Sequence, residues 1–267
     1  MSDRHLVITG ASTGIGRATA GGLAKDFERV TLVGRNPDRH APVIDELARA
    51  GTHVEFVECE MASLESVAGA ASFIGPVDVL IANAGVAGRR GITEDGFELH
   101  FGVNHLAHHL LVTELADRIL DRVVVVSSNA HHEADGLDLG GVQRNTPSFA
   151  GIREYRHSKL ANVLFGRQLA QRFPFTTVIV HPGLVATDIW RRLPWPVRPL
   201  VTRRMAPPEV GADTPCWAAT AEGLASGGYY SKRTLHPPSA PARDDDAGER
   251  LWVRSEEWVA GFRRRVA

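Results

Sequence analysis

The sequence predicts an α/β fold, a doubly wound and mostly parallel sheet of seven strands flanked by helices on both faces. Two observations carry that expectation. Short apolar, β-branched runs alternate with stretches of helical period through roughly the first 180 residues, the rhythm of strands joined by crossover helices. The first of those runs ends in the turn Thr9-Gly10-Ala11-Ser12-Thr13-Gly14-Ile15-Gly16, which opens a helix. At 267 residues and 43% apolar content the chain has material for one large core, and we read it as one domain over 1–267.

His5 to Thr9 is a short buried strand, and Gly10 to Gly16 turns into a helix running to about Asp26. Arg29 to Val33 is the second strand, followed by Gly34-Arg35-Asn36-Pro37 and a helix from Asp38 to Ala50. Val54 to Glu58 is the third, after which Ser63 caps a helix to about Phe73. Val77 to Ala82 is the fourth and ends in Asn83-Ala84-Gly85, with a long helix from about Asp95 to Ala116 behind it. Arg122 to Val126 is a β-branched run suited to a central strand and closes in Ser127-Ser128. His131 to Glu154 shows no period and holds four glycines and one proline, so it reads as an excursion over the sheet edge. Tyr155 to Phe173 is helical, with Leu160, Val163, Leu164 and Leu169 on one stripe, and Thr176 to Val180 is the sixth strand, closed by His181-Pro182-Gly183. A Pro-, Arg- and Trp-rich stretch follows over about 184–208, then a helix near Glu209 to Ala221 and a strand at Gly228-Tyr229-Tyr230. A C-terminal extension over about 231–267 ends in an amphipathic helix from Ala247 to Phe262.

A formal charge of −1 leaves no global field to recruit nucleic acid or an anionic membrane, so the expected partner is a small molecule. Cys59 and Cys216 stand far apart, which excludes a zinc framework and gives no disulfide signature. The first strand begins too near Met1 for a secretion signal, and no apolar run approaches the roughly 18 residues of a membrane span. A cytoplasmic location with no membrane partner is the expectation.

Tyr155 and Lys159 stand four residues apart on a helix, so they share a face. A free tyrosine titrates near about 10, and a neighbouring cation favours the phenolate, bringing it into range for proton exchange at neutral pH. With a glycine turn that lets backbone approach a pyrophosphate at a helix N-terminus, the pair points to hydride transfer with a dinucleotide. In a second-strand end without a carboxylate, Arg35 and Asn36, with Arg39 nearby, favour a 2′-phosphate and hence NADP(H), with NAD(H) possible.

Six landmarks occur in order: Thr-Gly-x3-Gly-x-Gly at 9–16, Asn83-Ala84-Gly85, Asn104, Ser127-Ser128, Tyr-x3-Lys at 155–159 and Pro182-Gly183. In this the chain resembles the short-chain dehydrogenase/reductase family, a single Rossmann-type domain. Val103-Asn104-His105-Leu106, His131-His132, His157-Ser158-Lys159-Leu160-Ala161-Asn162 and Arg250-Leu251-Trp252 resemble its retinol dehydrogenase and WW-domain oxidoreductase-like branch.

The resemblance implies four catalytic residues. Tyr155 exchanges the proton, Lys159 depresses the phenol's pKa and holds the nicotinamide ribose, Ser128 rather than Ser127 bonds the substrate oxygen, and Asn104 helps hold a water relaying protons to Lys159. For the cofactor it implies Gly10, Ser12, Thr13, Gly14, Ile15 and Gly16 at the pyrophosphate, and Arg35 and Asn36 at the adenosine ribose. Glu60-Met61 stand where many relatives place an adenine-binding Asp. Asn83, Ala84 and Gly85, then Pro182, Gly183, Val185 and Thr187, complete the set with Tyr155 and Lys159. The activity implied is interconversion of a ketone or aldehyde with an alcohol, on a hydrophobic small molecule. A non-turnover dinucleotide-sensing or scaffold protein, and an epimerase or dehydratase on the same fold, are the alternatives. The 27-residue spacing from Ser128 to Tyr155 walls a substrate pocket or a dimerisation face, leaving homodimer, homotetramer and monomer open.

His100, His105, His108 and His109 share a helix at spacings that include i+3 and i+4, yet no carboxylate or cysteine of matching spacing joins them, and we expect no metal site. Cys59 reads as a packed core thiol. Arg191, Arg192, Arg198, Arg203 and Arg204, interleaved with Trp190, Leu193, Trp195 and Met205, read either as a solvated loop or as a lid over a hydrophobic substrate.

Overall fold

Eight strands form one sheet in the order β3-β2-β1-β4-β5-β6-β7-β8 in a computed structural model that describes residues 4–183 and 206–263. The strands are β1 (His5–Thr9), β2 (Arg29–Gly34), β3 (His53–Glu58), β4 (Val77–Ala82), β5 (Ile119–Val126), β6 (Thr176–His181), β7 (Gly228–Ser231) and β8 (Thr234–His236). All pairings are parallel except β7 with β8. Strand order reverses between β1 and β4, where Ile8 lies beside Leu32 on one side and Ile81 on the other. In an open parallel sheet that reversal leaves a crevice at the carboxyl ends of the strands, and the site lies there.

The eighth strand is one more than the sequence predicts. The cause is the hairpin turn Lys232-Arg233, where both residues take the left-handed conformation, with φ of 49° and 59°. Two-residue hairpin turns favour asparagine and glycine at such positions, so Lys-Arg gives no local sign of one. Arg233 is tied down instead by its guanidinium, whose Nε donates to Asp213 Oδ2 at 2.9 Å.

Helices cover both faces. On one side α1 (Gly14–Leu23), α2 (Pro37–Arg49) and α7 (Pro208–Thr220) pack on Ile8, Leu32, Val124 and Val178. On the other, α3 (Leu64–Ala71), α5 (Ala107–Leu115), α6 (Ile152–Arg172) and α8 (Asp245–Val259) pack on Val7, Leu80, Val123 and Ile179. Successive side chains of a strand point to opposite faces, so the unbroken valine run of β5 feeds both cores. The helix expected from Asp95 starts later, as α4 (Leu99–Phe101), because the Glu98 carboxylate caps it by accepting the N–H groups of His100 and Phe101. A π-helical turn, Gly102–Leu106, joins α4 to α5 and carries Asn104. At α6 the start is Ile152 rather than Tyr155, set by Gly151 in the left-handed conformation, φ +65°. Tyr155 therefore sits one turn inside the helix.

Candidate active site

The glycine turn is built for close approach. At Gly10, φ is +71° and a Cβ would lie 2.8 Å from the Cα of Ala84; at Gly16 a Cβ would collide with the Gly10 carbonyl oxygen and the Asn83 amide. Asn83 ties the end of β4 to this turn, its Nδ2 donating to the Thr9 and Gly10 carbonyls at 2.8 and 3.2 Å. The Thr9 hydroxyl oxygen accepts from the N–H groups of Asn83 and Ala84 at 3.0 and 2.9 Å. Thr13 begins α1 without a side-chain cap and no acidic residue occupies its first turn, so the positive end of the helix dipole is left for an anion.

From this turn a cavity of about 440 Å³ runs past the ends of β2 and β3, within the range of small-ligand and cofactor sites. Gly10, Ser12, Thr13, Gly14, Ile15 and Gly16 line one end; Arg35, Asn36, Glu60 and Met61 line another; Asn83, Ala84 and Gly85 form the floor between. Two of these do work the sequence does not reveal. Asn36 caps α2, its Oδ1 accepting the Arg39 N–H at 3.0 Å. Glu60 holds Arg35, accepting from Nη1 at 3.1 Å, while its other oxygen accepts the Ala62 N–H at 3.0 Å. His40 also lines the cavity and was not foreseen. Its signal was Gly34, where a Cβ would collide with the His40 ring.

The two serines after β5 separate by alternation. Ser127 is buried and its Oγ donates to the Lys159 carbonyl at 2.9 Å, fastening β5 to α6. Ser128 caps the turn Asn129–Glu133: its Oγ accepts the Ala130 N–H at 3.2 Å. The Ser128 hydroxyl also stands near enough to the Tyr155 phenol to act to lower its pKa. Lys159 lies on the same helix face, with Nζ 5.8 Å from the centre of the Tyr155 ring and donating to the Val126 carbonyl at 3.2 Å.

The charge state departs from the sequence expectation. Burial pushes the Tyr155 pKa up, outweighing the contact with Ser128. Burial brings Lys159 down to about 8. The Asn104 side chain is engaged on both ends: Oδ1 accepts the Val86 N–H at 2.7 Å, and Nδ2 donates to the Val86 carbonyl at 3.0 Å and Ser158 Oγ at 2.9 Å. Its amide braces the loop after β4 against α6. Its carbonyl accepts from His108 Nδ1 at 3.0 Å, whose Nε2 accepts the Thr9 hydroxyl at 2.9 Å.

Gly85 is where the two halves meet, since a Cβ there would lie 3.1 Å from Asn104 Oδ1 and 3.8 Å from Lys159 Nζ. Tyr155, Lys159 and Ser128 do not line the large cavity, and neither do Pro182 and Gly183 at the end of β6, where Gly183 has φ +87°. Val185, Thr187 and the arginine- and tryptophan-rich stretch up to Met205 lie outside the described residues. The other helix histidines serve as polar docks: His105 Nε2 bonds Ser255 Oγ at 3.0 Å, His109 Nε2 donates to Glu256 Oε1 at 2.7 Å, and His100 Nδ1 bonds Glu98 Oε1 at 2.9 Å. Among the described residues no three potential ligands gather to hold a metal ion, and no helix there is long and apolar enough to cross a membrane. Cys59 is buried, its thiol pushed up to about 12 by desolvation.

Sheet order and glycine turn together define a dinucleotide-binding α/β domain. The chain belongs to the short chain dehydrogenase family, whose model matches residues 4–195, and within it to the retinol dehydrogenase branch. It is 37% identical, over 98% of its own length and 94% of the relative's, to a protein of Streptomyces sp. (strain C5) named for a daunorubicin C-13 ketoreductase. It is 39% identical to human retinol dehydrogenase 12, over 92% of this chain and 83% of that one. Among solved structures, an uncharacterised protein from Mycobacterium paratuberculosis superimposes with a TM-score of 0.79 at 30% identity, covering 96% of this chain and 93% of the other.

Proposed function

We propose that the protein is an NADP(H)-dependent oxidoreductase that interconverts a ketone or aldehyde with its alcohol on a hydrophobic small molecule. The observation that carries this reading is the convergence of Ser128 on the Tyr155 phenol, with the Lys159 ammonium on the same helix face as the tyrosine. The relatives support the substrate class, one being named for reduction of a ketone and another for oxidation of retinol.

The residues present fit the dinucleotide. The Gly10–Gly16 turn leaves open the space that side chains would fill, and the uncapped start of α1 offers N–H groups to a pyrophosphate. Arg35 sits on the cavity at the end of β2 and offers a planar cationic fork for a 2′-phosphate, with Glu60 holding it in place. Lys159 would take the nicotinamide ribose hydroxyls. When bound, the nicotinamide supplies hydride to the carbonyl carbon or accepts it from the alcohol.

The chain's own residues handle the oxygen. Because burial keeps the Tyr155 phenol protonated, it can donate its proton to the carbonyl oxygen in reduction. The Ser128 oxygen already accepts from the Ala130 N–H, which leaves the serine hydrogen to be donated to that same substrate oxygen. The Lys159 ammonium stabilises the phenolate left behind. In oxidation the roles run backward, and the phenolate must form first.

The test is steady-state oxidation of NADPH and NADH with ketones and aldehydes of rising hydrophobicity, for the wild type and Tyr155→Phe. The variant should bind NADPH as the wild type does and lose about a hundredfold or more in kcat. Reduction at the wild-type rate by Tyr155→Phe would sink the reading.

A further inference from the structure

We infer that His131 is a positioning residue for the reaction: it clamps the turn that carries Ser128 to the segment after β8, and so sets where the Ser128 hydroxyl stands. This rests on the reading of Ser128 as the group that bonds the substrate oxygen.

Ser128 lies at the mouth of β5, followed by the short turn Asn129–Glu133. A strand end and one tight turn do not fix a hydroxyl to the few tenths of an ångström that transition-state hydrogen bonds need; the neighbours of the turn must do it. Three distant segments grip it. The Asn129 N–H donates to His181 Nδ1 at the end of β6, 3.3 Å away, and Asn129 Oδ1 accepts from the Tyr229 hydroxyl of β7 at 2.9 Å. The third grip is His131, which is fully buried.

The backbone N–H of Ser239 points at His131 Nε2 at 3.2 Å. An amide N–H can only donate, so Nε2 is the acceptor and the ring proton is on Nδ1. That proton is donated to the Ser128 carbonyl at 2.7 Å. One neutral tautomer satisfies both contacts, and a protonated ring would have to give up Ser239. Burial, with the His132 ring tilted against it 4.0 Å away centre to centre, holds His131 down to about 4, so the clamp is closed throughout the neutral range. The Ser239 side is equally determined. Pro237 and Pro238 have no N–H, which makes Ser239 the first amide donor after β8, and its carbonyl in turn accepts the Ala242 N–H at 3.1 Å ahead of α8. The Ser128 carbonyl is thus linked through one imidazole to Ser239, 108 residues beyond His131 along the chain.

Four variants test the inference by kcat and KM with NADPH and a ketone or aldehyde substrate: His131→Phe removes both hydrogen bonds and keeps a ring, His131→Asn retains a donor in the Nδ1 position, His131→Gln retains a polar end in the Nε2 position, and Ser128→Ala removes the hydroxyl. Ser128→Ala should lose about a hundredfold or more in kcat, and His131→Phe about tenfold with the KM for NADPH within about twofold of wild type. His131→Asn, which keeps a donor to the Ser128 carbonyl but has lost Ser239, and His131→Gln, which keeps a polar end toward Ser239 but has lost that carbonyl, each break the link and should stay at least about threefold below wild type in kcat. If Ser128→Ala turns over normally, the role given to Ser128 is wrong. If Ser128→Ala is impaired while His131→Phe keeps more than half the wild-type kcat, or if His131→Asn turns over as the wild type does, the clamp is refuted and His131 only packs. Should His131→Phe fail to fold, His131→Asn and His131→Gln decide: either of them at the wild-type kcat overturns the inference.

Discussion

Lys159 should make the folded chain less stable than an uncharged side chain would. Its amine is almost fully buried and its pKa falls from 10.5 to about 8, a drop that corresponds to about 3 kcal/mol disfavouring the ammonium in the folded state. Lys159→Met keeps the length and apolar stem and removes that penalty. The loss to set against it is the hydrogen bond to the Val126 carbonyl, about 1 kcal/mol, since that carbonyl also accepts from Asn162 Nδ2 at 3.2 Å and is not orphaned. The variant should therefore be more stable by about 2 kcal/mol at pH 7, a rise in Tm of about 5 °C for a domain of this size, while losing turnover. The folded pKa lies below the unfolded one, so the penalty is full below about 8 and disappears as pH rises from 8 to 10.5, where the folded amine is already neutral. Urea midpoints of the two cofactor-free proteins at pH 7 and pH 10 measure this. A variant no more stable than wild type at pH 7, or a difference that does not shrink by pH 10, would refute the reasoning.

Two further outcomes follow from the same site. Arg35→Ala should raise the KM for NADPH by about tenfold or more, the value of a charge-assisted contact to phosphate, and leave that for NADH within about twofold, so the ratio of the two specificity constants is the readout. In the wild type, kcat for carbonyl reduction should be level through neutral pH and fall as pH passes about 8, because Lys159 then loses the charge that stabilises the departing phenolate; a profile level to pH 10 would contradict it.

How much of this the chain shows in advance depends on how local each cause is. β4 is legible to the residue because an apolar run bounded by Pro76 and Asn83 can pair in no other way, and β5 to within three residues. The glycine turn is legible because only glycine tolerates the approach of Ala84 and the Gly10 carbonyl. β8 is not, because its hairpin turn uses Lys232-Arg233 and depends on Asp213, 20 residues back. The four helix histidines are visible as a pattern, but the partners of His105 and His109, Ser255 and Glu256, lie about 150 residues away, and no local spacing announces them. The same holds for His131 and Ser239. The stretch from 184 to 205, where a lid was expected, lies outside the described residues.

The buried histidines also explain how the site keeps its charge simple. His108, His131 and His181 lie around Ser128, Tyr155 and Lys159, and burial brings each of them to about 4. For His181 the fields of His131, His132 and Lys159 push in the same direction, and for His108 that of Lys159 does. Desolvation is the main cause for all three imidazoles, and Lys159, with the highest intrinsic proton affinity, is the one of the four that stays charged at neutral pH. At neutral pH each of these three imidazoles is a neutral strut with one donor and one acceptor, which suits it to bridging two backbone or hydroxyl groups. The single ammonium is left near the phenol, where a phenolate forms during turnover. A site with two or three imidazolium ions would push Lys159 further below 8 and take its proton away at the pH where reduction needs it. On this account Lys159→Met should raise the pKa of His108 and His181 by removing a neighbouring cation, a change that NMR titration of the imidazole protons would detect.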